Sequence, residues 1–217
     1  MFASAHAGLA RVLCMGAIYY RTAPVDEAGQ LAEALARRAV QLDNDDPDAH
    51  AALAQALVLR EEMDGAWASA EMAREINPNS ARAQLYLGLI HIRQGRPAEG
   101  RAALELALRL SPREPGNRSV RQLICLSYFQ EHDYQGCVAA ARQAVIMENA
   151  NAATVARLLA ASLGQLGRIA EAATALRDTM TMTPELFDDF VRHRPPWYRP
   201  EDYEHLLDGL RKAGWQG

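Results

Sequence analysis

Five small residues recur along this chain at nearly constant spacing: Ala32, Ala66, Gly100, Cys137 and Ala172, separated by 34, 34, 37 and 35 positions. A second series, Tyr20, Ala54, Gly88, Cys125 and Ala160, steps by the same intervals. A third, Ala39, Ala73, Ala107, Ala144 and Thr179, nearly repeats them. Two helices whose backbones approach closely need small side chains where they meet. A period near 34 residues fits one helix-turn-helix unit, so the chain is predicted to be a stack of antiparallel helical hairpins.

Other positions keep the same register. The third unit is the clearest, with Leu87-Gly88, His91, Gly100, Leu104 and Pro112. The second offers His50, Leu53-Ala54, Leu57, Ala66, Ala70 and Pro78. The fourth has Ile124-Cys125, Tyr128, Cys137 and Ala141, and the fifth Leu159-Ala160, Leu163, Ala172, Leu176 and Pro184. The first is weakest, with Tyr19-Tyr20, Ala32, Ala36 and Asn44, and its turn, Thr22 to Asp26 with Pro24, is irregular. This pattern resembles the tetratricopeptide repeat (TPR), which carries Trp, Leu-Gly, Tyr, Ala, Phe and Pro at fixed offsets. Gln84 replaces the usual Trp, and Asn149 stands where Pro is usual. The resemblance implies an all-α, TPR-type right-handed solenoid. Its array is expected over 1–191, with hairpins at about 3–44, 47–80, 81–114, 118–151 and 153–186.

Punctuation supports these boundaries. Asn77-Pro78-Asn79-Ser80 and Ser111-Pro112 separate hairpins, because Pro cannot continue a helix and Ser or Asn caps the next one. Asp46-Pro47 reads as an N-cap followed by Pro at the first helical position. Gly95 and Gly167, with Gly164 nearby, read as tight-turn punctuation within hairpins. Pro115-Gly116-Asn117 account for the 37-residue interval and predict a longer loop between the third and fourth repeats. Residues 192–217 form a distinct tail. Arg192 to Pro200 is broken by prolines, and an amphipathic helix follows from Glu201 to Ala213, with Tyr203, Leu206, Leu207 and Leu210 on one face. Acids open that helix and Arg211 and Lys212 close it, as the helix dipole favours. It is expected to cap the open end of the array.

Composition narrows the function. Net charge is −4, with 23 Lys and Arg against 27 Asp and Glu, which argues against a nucleic-acid partner. The basic cluster Arg109, Arg113, Arg118 and Arg121 includes Glu114 in its turn and reads as solvated surface. Phe2 to Tyr20 lacks an early Lys or Arg and is interrupted by Arg11, so it does not read as an export signal. No uncharged 18-residue apolar stretch occurs, so no membrane association is expected. Cys14, Cys125 and Cys137 form no CxxC pair, and reduced packing residues of a cytoplasmic protein are the expected role, with a disulfide or redox switch as the alternative.

Residue patterns that could carry chemistry are few. Asp43-Asn44-Asp45-Asp46-Pro47-Asp48 has the acidity of a calcium loop, but Pro47 and Asp48 fall where an oxygen ligand and then Gly are needed, and the distal Glu is missing. His50 and His91 occupy packing positions. There is no nucleophile arrangement and no phosphate loop, so no enzyme activity, metal or cofactor is expected. What remains is the groove that the first helices of TPR hairpins line. Its expected contact residues are Arg82, Leu85, Leu89, Ile92, Arg93, Gln122, Leu126, Phe129 and Arg157, with Gln130, Ala161 and Gln165 beside them. The centre is apolar, and such a patch is normally covered by something. The expected cover is a peptide or helix of a protein partner; the chain's own termini and a second copy, as in a homodimer, are the alternatives. A small molecule held between Arg93 and Arg157 is a further alternative. The Lys and Asn clamp of chaperone-binding TPR domains is replaced here by Ala51, Gln55, Leu85 and Leu89.

Four phrases carry a second resemblance: 39–43 (AVQLD), 77–81 (NPNSA), 110–115 (LSPREP) and 207–214 (LDGLRKAG). Together they resemble the C-terminal TPR region of proteobacterial class III adenylate/guanylate cyclase-like proteins. In that family a cyclase domain precedes the repeats and supplies the catalysis. No such domain is present here, so no cyclase residue transfers. The resemblance implies a regulatory or dimerisation segment of a nucleotide cyclase signalling protein, as an alternative to a stand-alone interaction module.

Overall fold

The computed structural model describes residues 2–20, 22–114, 117–148, 152–195 and 197–217, with side chains described at all of these except 19, 20, 145–148, 152 and 153. The fold is all-α, and the described residues contain no strand. Among the described residues ten α-helices follow one another: α1 (Ala3–Met15), α2 (Val25–Leu42), α3 (Pro47–Leu59), α4 (Met63–Ile76), α5 (Ala81–Arg93), α6 (Pro97–Leu110), α7 (Asn117–Gln130), α8 (Tyr134–Glu148), α9 (Ala152–Gln165) and α10 (Ile169–Met182). Two more helices follow, α11 (Pro184–Arg192) and α12 (Pro200–Lys212). The chain divides into two compact units, residues 1–90 with 102–112, and residues 91–101 with 113–217.

In the first unit α1 packs on α2 and α3, and α3 packs on α2 and α4. The contacts are small, as the periodicity requires: Ala32, Ala36, Ala39, Ala66, Ala70 and Ala73 are buried together with Ala49, Ala52 and Ala54. Leu53, Leu57 and Ile90 fill the spaces between them. Glu33 joins two hairpins, accepting from Arg37 and from Arg60 at 2.7 Å each. Asp46 caps α3 by accepting from the Asp48 amide at 2.8 Å, with Pro47 opening the helix. Ser80 caps α5 the same way, accepting from the Ala83 amide. Between α1 and α2 the chain widens into a π-helical turn at Gly16–Tyr20. The Thr22 amide bonds back to the Gly16 carbonyl, and this replaces a simple loop.

In the second unit α7 packs on α8, α8 on α9, and α9 on α10, with Cys125, Cys137, Ala141, Ala160 and Ala172 buried at the contacts. The three cysteines are free and buried. Burial pushes the thiols of Cys14 and Cys137 up, to about 11 and about 12. The hairpin turns share one device. Glu61, Gly95, His132 and Gly167 all have positive φ, between 61° and 77°, and their spacing repeats the 34, 37 and 35 of the small-residue series.

Three local expectations change. Asn117 is not in the loop but is the first residue of α7 and is buried. Gly164 is not turn punctuation; it lies inside α9, and its missing side chain serves a helix crossing described below. Pro184 does not simply end the fifth hairpin. It opens α11, a short amphipathic helix that buries Phe187 and Phe190, because Pro is accommodated at a first helical position. The side chain of Tyr20, and residues Pro115, Gly116, Asn149 and Pro196, lie outside what is described.

Candidate functional site

The expected groove residues fall into two sets. On α5, in the first unit, Arg82 forms an ion pair with Asp48 of α3 at 2.8 Å, linking equivalent positions of successive repeats. Leu85 and Leu89 are half-buried, so each leaves part of its side chain in water. Among the second unit's residues, Ile92 is buried and Arg93 is half-buried. On α7, Gln122 and Leu126 are half-buried, Leu126 against the core of the second unit.

Phe129 and Arg157 are placed differently. Phe129 is 1% exposed: its ring stacks on His205 of α12, with centroids 4.6 Å apart. Arg157 is buried, its guanidinium 3.5 Å above the ring of Phe190 from α11. Two further positions expected in the groove bond to the same C-terminal segment: Gln130 donates to Asp202 and Gln165 donates to Asp208, each at 2.8 Å. Lys212 closes that set by donating to Gln165. Ala161 is fully buried beneath Gly209. The faces of α7 and α9 that the sequence assigns to a ligand are thus covered, in the second unit, by the chain's own residues 187–213.

Aromatic packing and one ion pair hold this cover. Phe190 meets Tyr198 and Tyr203 edge to face, and the Tyr203 hydroxyl donates to the Phe190 carbonyl at 2.7 Å. Asp202, itself buried, accepts two bonds from Arg199, at 2.7 and 2.9 Å. A charge-assisted pair of that geometry at the first turn of α12 satisfies the buried carboxylate and fixes the entry of the helix. A third set, His132, Tyr134 and His205, meets Phe129 through the rings of Tyr134 and His205. The Tyr134 hydroxyl lies 2.9 Å from His132 and 2.8 Å from His205, and the two imidazoles stack 4.3 Å apart.

Among the described residues no cluster of three His, Cys, Asp or Glu side chains could hold a metal. No helix among them is long and apolar enough to cross a membrane. The residues missed by sequence reasoning are those of α11. Phe187, Phe190 and Val191 carry the i, i+3, i+4 spacing that would have revealed it.

Comparison with known proteins agrees with the hairpin architecture. The tetratricopeptide repeat family model matches residues 68–115. No curated protein sequence matches the chain. Among solved structures the chain is similar to PilW, a widely conserved type IV pilus biogenesis factor, at 18% identity and TM-score 0.68 over 94% of this chain and 88% of that one. It is similar to YrrB, a TPR protein with an unusual peptide-binding site, at 20% identity and TM-score 0.59 over 82% and 90%. It is also similar to a thermophilic TPR protein of Thermus thermophilus, at 20% identity and TM-score 0.60 over 83% and 91%. The chain therefore matches the tetratricopeptide repeat model at 68–115 and has the TPR fold along most of its length.

Proposed function

We propose that this protein is a non-catalytic interaction module that binds a peptide or helix of a partner protein on the α3 and α5 face of its first unit. The observation that carries this reading is the half-exposure of Leu85 and Leu89 at successive turns of α5, beside Arg82. Half-exposed apolar side chains in such a row are worth covering, beside the Arg82–Asp48 pair that borders them. Hairpins held rigid by packed alanines present this face preformed, so a flexible partner bears most of the ordering cost. Phe129 and Arg157, in contrast, serve to hold the C-terminal segment. A cytoplasmic setting fits the three buried thiols, which would gain nothing from an oxidising compartment.

The test is affinity capture of the full chain from its native cell, followed by mass spectrometry and by repetition with Leu89→Asp. The expected result is a specific protein partner that the variant loses while its circular dichroism is unchanged. Equal recovery of that partner by wild type and Leu89→Asp would move the site off this face. The phrases shared with cyclase-associated repeats support a narrower version, in which the partner belongs to a nucleotide cyclase signalling protein; a cyclase among the captured proteins is the result that version requires.

A further inference from the structure

The first helix carries an apolar face of its own. α1 turns Ala7, Ala10 and Cys14 into the core, against α2 and α3. On the opposite side, at helical spacing, stand Phe2, Ala5, Leu9 and Val12, with Phe2 80%, Val12 64% and Leu9 50% exposed. Met15 and Ile18 extend the exposed apolar surface. A side-chain carbon added at Gly8 would meet nothing within 4 Å. No Asp, Glu or Lys occurs between Phe2 and Tyr20, and Arg11 is half-buried.

We propose that this face is a homodimer contact, with α1 packing antiparallel against α1 of a second copy about a two-fold axis between Ala5 and Leu9. Two-fold packing sets each surface against itself, so any charge on the strip would meet a like charge nearby. This strip has none, which makes it complementary to its own copy. Ala5 lets the two backbones approach closely. A helix of this length spans about 20 Å. Two such short strips reach at most the low end of the area of a specific interface. The dimer is accordingly a weak one, with a dissociation constant in the micromolar range. An anionic membrane surface is the poorer occupant, because helices that lie on one carry Lys and Arg along their polar flanks. This contact is independent of the α5 face, and either can fail alone.

Sedimentation equilibrium of the full chain, from about 1 to 200 μM, reads the contact directly. The expected result is a mass that moves from 23.9 kDa toward twice that value as concentration rises. Leu9→Asp and Val12→Asp should each weaken association by at least about tenfold with helicity intact, since both side chains lie outside the folded core. As a second measurement, Ala5→Cys should form a disulfide-linked dimer on mild oxidation, while wild type, with its buried thiols, should not. A wild type that stays monomeric throughout overturns the proposal. So does a dimer that persists in Leu9→Asp, and so does a monomer that pellets with phosphatidylcholine/phosphatidylglycerol vesicles through these same residues.

Discussion

Gly164 of α9 and Gly209 of α12 touch backbone to backbone. A side-chain carbon placed on Gly164 would stand 2.3 Å from the Gly209 carbonyl oxygen and 2.9 Å from the Ala213 nitrogen. One placed on Gly209 would lie 2.8 Å from the Ala161 carbonyl oxygen. These obstacles are backbone atoms of two packed helices, so neither can swing aside. Gly164→Ala should therefore force α12 off α9 and destabilise the second unit by about 2–3 kcal/mol, in the range for adding bulk to a packed contact. Gly167→Ala is no control, because its positive φ adds strain of its own; Ala170→Ser, exposed on α10, is a better one. Urea unfolding checks the stability change, and amide exchange over residues 200–212 locates it. Equal midpoints for Gly164→Ala and wild type would mean that α12 does not lie against α9.

Glu61 and His132 occupy the left-handed turn position that Gly95 and Gly167 fill in the neighbouring hairpins. A side chain in that region costs about 1 kcal/mol relative to glycine. Glu61 is exposed, so burial of its side chain does not offset the cost. Glu61→Gly should accordingly stabilise the first unit by about 1 kcal/mol, less what glycine loses through its freer unfolded chain. The reverse change, Gly167→Glu, should destabilise the second unit by a similar amount. A thermal denaturation series on both variants, with shifts of opposite sign, is the expected outcome.

Most of the fold was legible because packing of one repeat on the next imposes the same demand every 34 residues or so. Ala32, Ala66 and Ala172 are each fully buried, and each is small for the same reason. What repetition does not encode is a contact made once. Gly164 sits three residues from a turn glycine, and no period distinguishes a residue that ends a hairpin from one that admits α12. Pro184 is equally ambiguous, since proline both stops one helix and starts another. The groove shows the same division: helical phase places Phe129 and Arg157 on the ligand-facing side, but phase carries no information about what lies against them. That depends on Phe190, Tyr203 and His205, which belong to no repeat.

His205 is where acid should first loosen the C-terminal segment. Its pKa is held below the ordinary 6.5, mainly by burial and further by the neighbouring His132, while Asp208 and Asp202 oppose the shift and Lys212 adds to it. Facing it from the fourth hairpin are Phe129, His132 and Tyr134. Because the folded state resists protonation, it binds fewer protons than the unfolded chain below pH 6.5, and stability falls as the pH falls there. The contribution is fully present above 6.5 and lost once the pH has dropped through the folded-state value. Asp208, whose pKa is lowered chiefly by its bond from Lys212, titrates in a more acidic window and does not overlap. Urea midpoints measured from pH 7.5 to 5 should decline for wild type and flatten in His205→Phe, which keeps the stack on Phe129. Parallel declines for the two proteins would assign the acid sensitivity elsewhere.

Arg157 is a buried cation set on an aromatic ring. Its guanidinium rests on the Phe190 ring, Tyr198 and Tyr203 are the groups that act on it electrostatically, and its Nε has no hydrogen-bond partner among the described residues. Burial is the largest influence and pushes its pKa down. A cation over an aromatic face gains about 2 kcal/mol when desolvated, whereas removing an ion from water costs several kcal/mol even after relaxation. The second effect is larger, so the charge is a net burden on the folded state. Arg157→Met retains a long, flexible side chain against Phe190 and discards the charge. It should leave stability unchanged or raise it by ~1 kcal/mol, with the C-terminal segment still protected from amide exchange. Arg157→Ala should lose stability through the cavity it leaves, by about 2 kcal/mol. If Arg157→Met instead unfolds as readily as Arg157→Ala, the positive charge itself fastens α11 to α9, and the aromatic face of Phe190 is the group that would answer to it.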